Sequence, residues 1–323
     1  MTEEIFPGLF RIRVPLPKNP LKAINSYVIK STDRNLIVDT GLNQEECLAA
    51  MQEGLKALGV DIDKTDFFIT HLHADHVGLL GALAGEKNRI YCGDPDAFVV
   101  RSGVDWGQFL DFARQNGIPE TEVQAASSLP GYDYGAGSGL NVISVKEGDL
   151  INAGEYSFRC VHTPGHTEGH MCLYDEDKQI ILAGDHLLAE ITPNISLWGG
   201  NDQDPIRDYF NSLDKVAQME IQCVLPGHRD PFSNYRQRVD ELKAHHRERF
   251  QEIMEILKPG SATAYQVASL MHWDMSYDRW EQFPVAQKWF ATAEANAHLK
   301  YLEQEGLLKV EVKDGKIIYQ AKI

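Results

Sequence analysis

The segment Thr70-His71-Leu72-His73-Ala74-Asp75-His76 packs three histidines and an aspartate into six residues. Neutral imidazole nitrogens and carboxylate oxygens suit zinc, and also iron or manganese. An alternating His-x-His in an extended segment points both rings to one side. Asp75 and His76 follow the turn, where they can face a second ion. Three later residues have the same character: His166 stands in a loop after a strand-like run, Asp185 ends a second run, and His228 follows a third. Open α/β sheets gather ligands beyond the carboxyl ends of their strands, so all of these groups can converge. The ligand inventory is then His71, His73 and His166 for one ion, and Asp75, His76 and His228 for another. Asp185 can bridge both. Two divalent ions held about 3.5–4 Å apart can share a water and bring its pKa toward neutral, and the bridging hydroxide would attack a carbonyl or phosphoryl centre. Asp185, holding the pair, and Asp75, orienting the nucleophile, are the candidate catalytic residues.

Such groups need a framework of alternating strands and helices. Residues 66–69 read as a buried strand before the cluster, and residues 77–83 as the opening of a helix after it. Upstream, residues 9–14 alternate apolar and basic side chains and run into Pro15 and Pro17, as an edge strand does. Residues 23–29 and 35–38 are further strands. Asn43 with Glu46 suggests a capping box for a helix over 44–58 that carries Cys47, Leu48, Met51, Leu55 and Leu58 on one face. Gly59 ends that helix. This is α/β order. Residues 89–92 form another strand, and then the rhythm breaks. About residues 94–140 read as an insertion, with a helix over 105–115 and a Gly/Tyr-rich tract over 131–139. Long insertions beside sites act as lids or substrate walls, or are passive excursions; Tyr132 and Tyr134 are the substrate-contact candidates there. Strands follow over 142–145, 156–162, 171–174, 179–183 and 223–225, with a helix over 206–219.

Beyond residue 235 the pattern changes. Helices over 235–257, 264–271 and 285–305 precede a hairpin turned at Asp314-Gly315. Three helices and a hairpin are the order of a winged helix. The expected domains are therefore 1–235 and 236–323.

With these pieces in register, the chain resembles the metallo-β-lactamase superfamily. The resemblance rests on His71-x-His73-x-Asp75-His76, Thr163-Pro164-Gly165-His166-Thr167, Gly184-Asp185 and Pro226-Gly227-His228, with Asp39-Thr40-Gly41 upstream. It covers residues 1 to about 235. It implies an αββα sandwich and the dinuclear site already laid out, with zinc the first choice of metal. The run His166-Thr167-Glu168-Gly169-His170 looks like the glyoxalase II-like branch. The appended winged helix is similar to a subgroup that includes a mitochondrial endoribonuclease and many bacterial hydrolases. Secreted β-lactam hydrolases of one large class carry cysteine where Asp185 stands, which argues against that substrate here.

Other candidates are supporting ones. Asp39 is placed to orient the histidine loop, and His170 to hold a neighbouring group or a substrate. His162 and His186 are turned away by strand alternation, and His245, His246 and Arg249 read as a solvated helix face.

The formal charge of −16, from 31 basic and 47 acidic residues, disfavours nucleic acid and anionic membranes as partners. Residues 240–323 carry 11 basic and 13 acidic side chains, and the helix over 285–305 brings only Lys288 and Lys300 to a groove. No apolar run approaches the roughly 18 residues of a membrane span. The acidic Met1-Thr2-Glu3-Glu4 start and five scattered cysteines point to reduced thiols in the cytoplasm. A homodimer is compatible with the appended domain. The expected function is metal-dependent hydrolysis of a small acyl substrate such as a thioester. Endoribonuclease or phosphodiesterase activity is the alternative, and a winged-helix DNA-binding regulator the third reading.

Overall fold

The structure, a computed structural model, describes residues 2–103, 106–127, 139–199, 203–275 and 277–322. The Gly/Tyr tract with Tyr132 and Tyr134 lies outside the described residues. The chain divides into two compact units, neither continuous in sequence. One takes Met1–Val104, Gly131–Pro193 and Ser212–Val239; the other takes Asp105–Pro130, Asn194–Asn211 and Asp240–Ile323.

The first unit is built on two sheets. The seven-stranded one contains, in chain order, β1 (Thr2–Phe6), β2 (Leu9–Pro15), β3 (Ala23–Ile29), β4 (Asn35–Val38), β5 (Thr65–Ile69), β6 (Arg89–Gly93) and β7 (Asn141–Val145). Neighbours from β1 to β4 are antiparallel; from β4 to β7 they are parallel. Parallel strands covered on both faces read as unbroken apolar runs, and β5 is buried at every position. Its adjacent phenylalanines point opposite ways: Phe67 joins a cluster with Cys47, Met51 and Leu55 of the helix Glu45–Leu58, and Phe68 joins the cluster between the sheets. Truncating either ring to alanine would cost about 3–5 kcal/mol.

The second sheet runs β12-β11-β10-β9-β8, with β8 (Leu150–Ala153), β9 (Tyr156–His162), β10 (Met171–Asp175), β11 (Ile180–Gly184) and β12 (Cys223–Pro226). Only β11 and β12 pair in parallel. Phe158, Leu173 and Leu182 from this sheet meet Tyr27, Val38 and Phe68 from the other. Over its outer face lies the end of the helix Pro205–Ala217, where Ser212 Oγ donates to Pro164 O and Lys215 Nζ to His162 O. Helix, sheet, sheet, helix is the layering the resemblance implied.

Three local expectations are corrected. β1 pairs with β2 through the Pro7-Gly8 turn, so residues 9–15 are not an edge; Pro15 is tolerated because it is the last residue of β2. The capping box at Asn43 does not form: the helix begins at Glu45, with Gln44 as an extended cap that makes no side-chain bond. The helix expected over 77–83 is instead two single turns, Ala74–Val77 and Leu80–Leu83.

The second unit holds the helices Trp106–Gln115, Glu120–Ser127, Ala264–Leu270 and Val285–Gln304, and a hairpin of β13 (Leu308–Lys313) and β14 (Lys316–Ala321). Thr263 and Gln266 form a reciprocal capping box. Phe109 of the first of these helices stacks on Trp198 and Trp289, so its apolar face is core within this unit. Val285–Gln304 is buried along most of its length, and Lys288 is neutralised at 2.8 Å by Glu122. His246 is also buried, against the expectation of a solvated face. Its Nδ1 lies 2.9 Å from His298 Nε2, and Tyr209 and Phe210 pack edge-on to its ring. No helix among the described residues is long and apolar enough to cross a membrane.

Candidate metal centre

The parallel arrangement brings the chemistry together. Asp39 follows β4, the histidine segment follows β5, and Asp96 comes three residues after β6, all at the carboxyl ends of parallel strands. β9 and β11 run the same way, both being antiparallel to β10, so His166 and Asp185 leave the second sheet at one edge; His228 follows β12 there.

All seven sequence-predicted ligands converge. His71, His73 and His166 form one group, Asp75, His76 and His228 another, and His71, His76 and Asp185 a third; ligand atoms within each group lie within 4.8 Å of one another. His71 Nε2 and His73 Nδ1 stand 3.0 Å apart. Asp185 reaches both sides: Oδ1 is 3.6 Å from His76 Nε2, and Oδ2 is 3.7 Å from His166 Nε2 and 3.5 Å from His228 Nε2. Asp75 Oδ2 is 3.4 Å from His228 Nε2. Nitrogens about 2.0–2.1 Å from one tetrahedral zinc stand roughly 3.3 Å apart, so the spacing fits an ion.

The outer hydrogen bonds choose the atoms that face inward. His76 Nδ1 meets Asp39 Oδ2 at 2.8 Å, and His228 Nδ1 donates to Ala23 O at 2.8 Å. Each ring is thereby left with Nε2 toward the centre. Those two Nε2 atoms and Asp185 Oδ1 are buried without a hydrogen-bond partner. Buried polar atoms with no partner are costly, and divalent ions are what this nitrogen and oxygen set would accept.

Asp39 is the hub of one side. Besides His76 it accepts from Thr70 N and Thr70 Oγ1, each at 2.8 Å, and Thr70 Oγ1 in turn lies 3.0 Å from His71 Nδ1. Its backbone sits in the left-handed region at φ 59°, where aspartate is among the tolerated residues. His170 supports Asp185: its Nε2 accepts from Asp185 N at 3.2 Å while its Nδ1 meets Thr163 Oγ1. Gly184 is needed beneath it, since a Cβ there would stand 2.7 Å from both His170 Nε2 and Thr70 Oγ1, at φ 47°. His162 bonds Glu168 O and takes no part in the centre. His186 is outside the ligand groups too. Sequence reading missed Thr70 and Asp96. Thr70 precedes the cluster directly, and a hydroxyl beside buried imidazoles was the available signal; Asp96 had none, lying where the chain breaks rhythm.

Charge accompanies the geometry. Burial first, then His76, His73 and His166, hold His71 well below the ordinary histidine value. Burial and His166 bring His73 down to about 3. Burial opposes a proton on His228, but Asp185 and Asp75 outweigh it and raise the group to about 10. His76 is raised in the same way, with Asp39, Asp185 and Asp75 outweighing burial. Burial works against the charge on Asp75, and His76 and His228 still lower it to about 2. Two imidazoles held against protonation on one side, and two carboxylates that draw positive charge onto His76 and His228 on the other, are two adjoining places that would suit a cation.

Residues 20–228 match the family model described as "Metallo-beta-lactamase superfamily". The chain is similar to "Probable metallo-hydrolase YqjP" of Bacillus subtilis (strain 168), 28% identical over 312 residues, covering 91% of this chain and 92% of that one. It is 24% identical over 242 residues to "Acyl-coenzyme A thioesterase MBLAC2" of Homo sapiens, covering 70% and 79%. Among solved structures, a metallo-beta-lactamase family protein from Thermus thermophilus superimposes with a TM-score of 0.83 at 28% identity, over 98% of this chain and 100% of that one.

Proposed function

The chain belongs to the metallo-beta-lactamase superfamily and is a metal-dependent hydrolase, and from that premise we propose that it binds two divalent ions, zinc first, and hydrolyses small acyl substrates of the thioester class. The observation that carries the two-ion reading is the pair of ligand triads sharing Asp185. His71, His73 and His166 would hold one ion, Asp75, His76 and His228 the other, and Asp185 would touch both. Bound there, such ions supply an acidified water and polarise the substrate oxygen.

The protein's own part is preorganisation. Asp39 keeps His76 and Thr70 in place, so Nε2 of His76 is presented without rearrangement. His170 fixes the backbone N–H of Asp185. His73 and Asp75 are the only members of the two triads that are not fully buried, so an acyl group would approach along them while the other five residues stay buried. Asp75, unable to keep a proton near neutral pH, would orient the nucleophile.

The thioester preference is supported by the named activity of the human relative and by the His166–His170 run, which is glyoxalase II-like. We read residues 240–323 as a winged-helix-like module whose third helix serves the interior. A helix buried along most of Val285–Gln304 leaves little surface for a groove, which weighs against a nucleic-acid substrate and against a DNA-binding regulator. Five free cysteines, four of them buried, fit a reducing cytoplasm.

The test is a panel of acyl-thioesters followed by thiol release, run beside bis(p-nitrophenyl) phosphate and a structured RNA on the zinc-loaded protein. Thioester turnover at least 100-fold above phosphodiester turnover is expected. RNA or phosphodiester cleavage with no thiol release would overturn the substrate class.

A further inference from the structure

Asp96 is buried and charged by nature, yet takes no part in the ligand groups. It opens the helix Asp96–Ser102, where an aspartate would ordinarily serve its own helix. Its three hydrogen bonds go elsewhere. Oδ2 accepts from Leu72 N at 2.9 Å and from Thr167 Oγ1 at 2.6 Å, and Oδ1 accepts from Gly169 N at 2.8 Å. Leu72 lies between His71 and His73, and Thr167 follows His166. One carboxylate therefore clamps the two loops that carry a complete triad, and those loops come from different sheets.

The packing has been shaped to allow it. A Cβ on Gly169 would stand 2.5 Å from Asp96 N and 2.7 Å from Asp96 Oδ1, and one on Gly93 would stand 2.3 Å from Gly169 O. The His166 loop thus rests directly on the backbone that presents Asp96. Its three bonds reach neither Asp75, His76 nor His228.

Resting on the two-ion reading above, we propose that Asp96 is a positioning residue that sets the affinity of one ion, that of His71, His73 and His166, and leaves the other largely alone. Asparagine cannot replace it. Turned either way, its amide NH2 faces a backbone N–H, the buried one of Gly169 or the part-buried one of Leu72. The alignment of one loop is then lost.

The experiment measures zinc affinity at both sites of the full chain, by competition with a chromophoric chelator, and the cobalt absorption spectrum of each site. Groups that orient metal ligands are worth about 10–100-fold in affinity. Asp96→Asn should weaken one ion by that factor, shift its cobalt bands, and change the other ion by less than about threefold. Thr167→Val removes a single donor on the surface of the same clamp and should weaken the same ion by a smaller factor. Circular dichroism reports whether Asp96→Asn folds; if it does not, Thr167→Val alone decides. Equal loss at both sites, or no loss in the folded variants, overturns the proposal. A wild-type protein that binds no zinc refutes the two-ion reading instead, so the two failures are distinct.

Discussion

Gly227 leaves room for Asp185 and His76, two of the proposed ligands, which occupy the space where its side chain would be. A Cβ at this position would stand 2.6 Å from Asp185 Oδ1 and 2.9 Å from His76 Cε1, where ordinary contact begins at 3.4 Å. In Gly227→Ala one or both ligands must therefore retreat by about 0.5–0.8 Å. Neither can do so freely. His76 is tied through Nδ1 to Asp39, and the backbone N–H of Asp185 is tied to His170. Functional constellations tolerate about 0.5 Å of error, and misplacement by 1 Å can cost about 100-fold in rate. The expected result is a loss of about 10-fold or more in affinity for the ion at Asp75, His76 and His228, and of about 100-fold in kcat/KM. Overpacking should reduce stability by only about 1–3 kcal/mol. The assays are zinc competition, thioester turnover and thermal melting of one preparation. Unchanged affinity and turnover in a folded Gly227→Ala protein would refute the claim that Asp185 and His76 meet over this residue as functional ligands.

Asp185→Asn should lower metal occupancy and activity together; full two-ion occupancy with undiminished turnover would remove the bridging role. Asp39→Asn keeps the left-handed backbone but turns an NH2 toward either Thr70 N or His76 Nδ1, and metal affinity measured by chelator competition should fall about 10–100-fold. Lys288→Met leaves the part-buried Glu122 carboxylate without its cation and should destabilise the protein by about 1–3 kcal/mol in urea unfolding, while adding Glu122→Leu recovers most of the loss. Glu294 is raised to about 7 by burial, against Arg249 and Asn194, which pull it down. The folded state then holds this proton more tightly than the unfolded chain, so the contribution is full below about pH 4.5 and is lost as pH rises to about 7. It amounts to roughly 3 kcal/mol. Wild-type stability relative to Glu294→Gln should fall across that window, and parallel pH profiles would contradict it.

The site was legible from sequence because metal chemistry restricts residue type. Few side chains can ligate an ion, and four short motifs at strand ends were enough to name the seven residues that the fold brings together. The supporting groups were legible only in part. Asp39 and His170 stand inside or beside motifs, whereas Asp96 is far in sequence from its three donors, two of them backbone N–H groups that leave no pattern at their own positions. The capping box at Asn43 had the right residue types, but the chain enters the helix one residue later, with Gln44 extended. His246 looked like part of a polar helix face because polar residues surround it in sequence; its partner, His298, comes 52 residues later. The second unit was hardest to read, since it is assembled from three separated segments, and only the fold brings Phe109, Trp198 and Trp289 into one stack.

The central claim is that the seven residues form two adjoining metal sites, and metal content measures it directly. His73 belongs to one triad and Asp75 to the other, and both are partly exposed, so each can be replaced with little effect on folding. Elemental analysis of gently purified protein should give two divalent ions per chain in the wild type and about one in both His73→Ala and Asp75→Ala. A wild-type chain with no bound metal, or single variants that each retain two ions, would contradict the account.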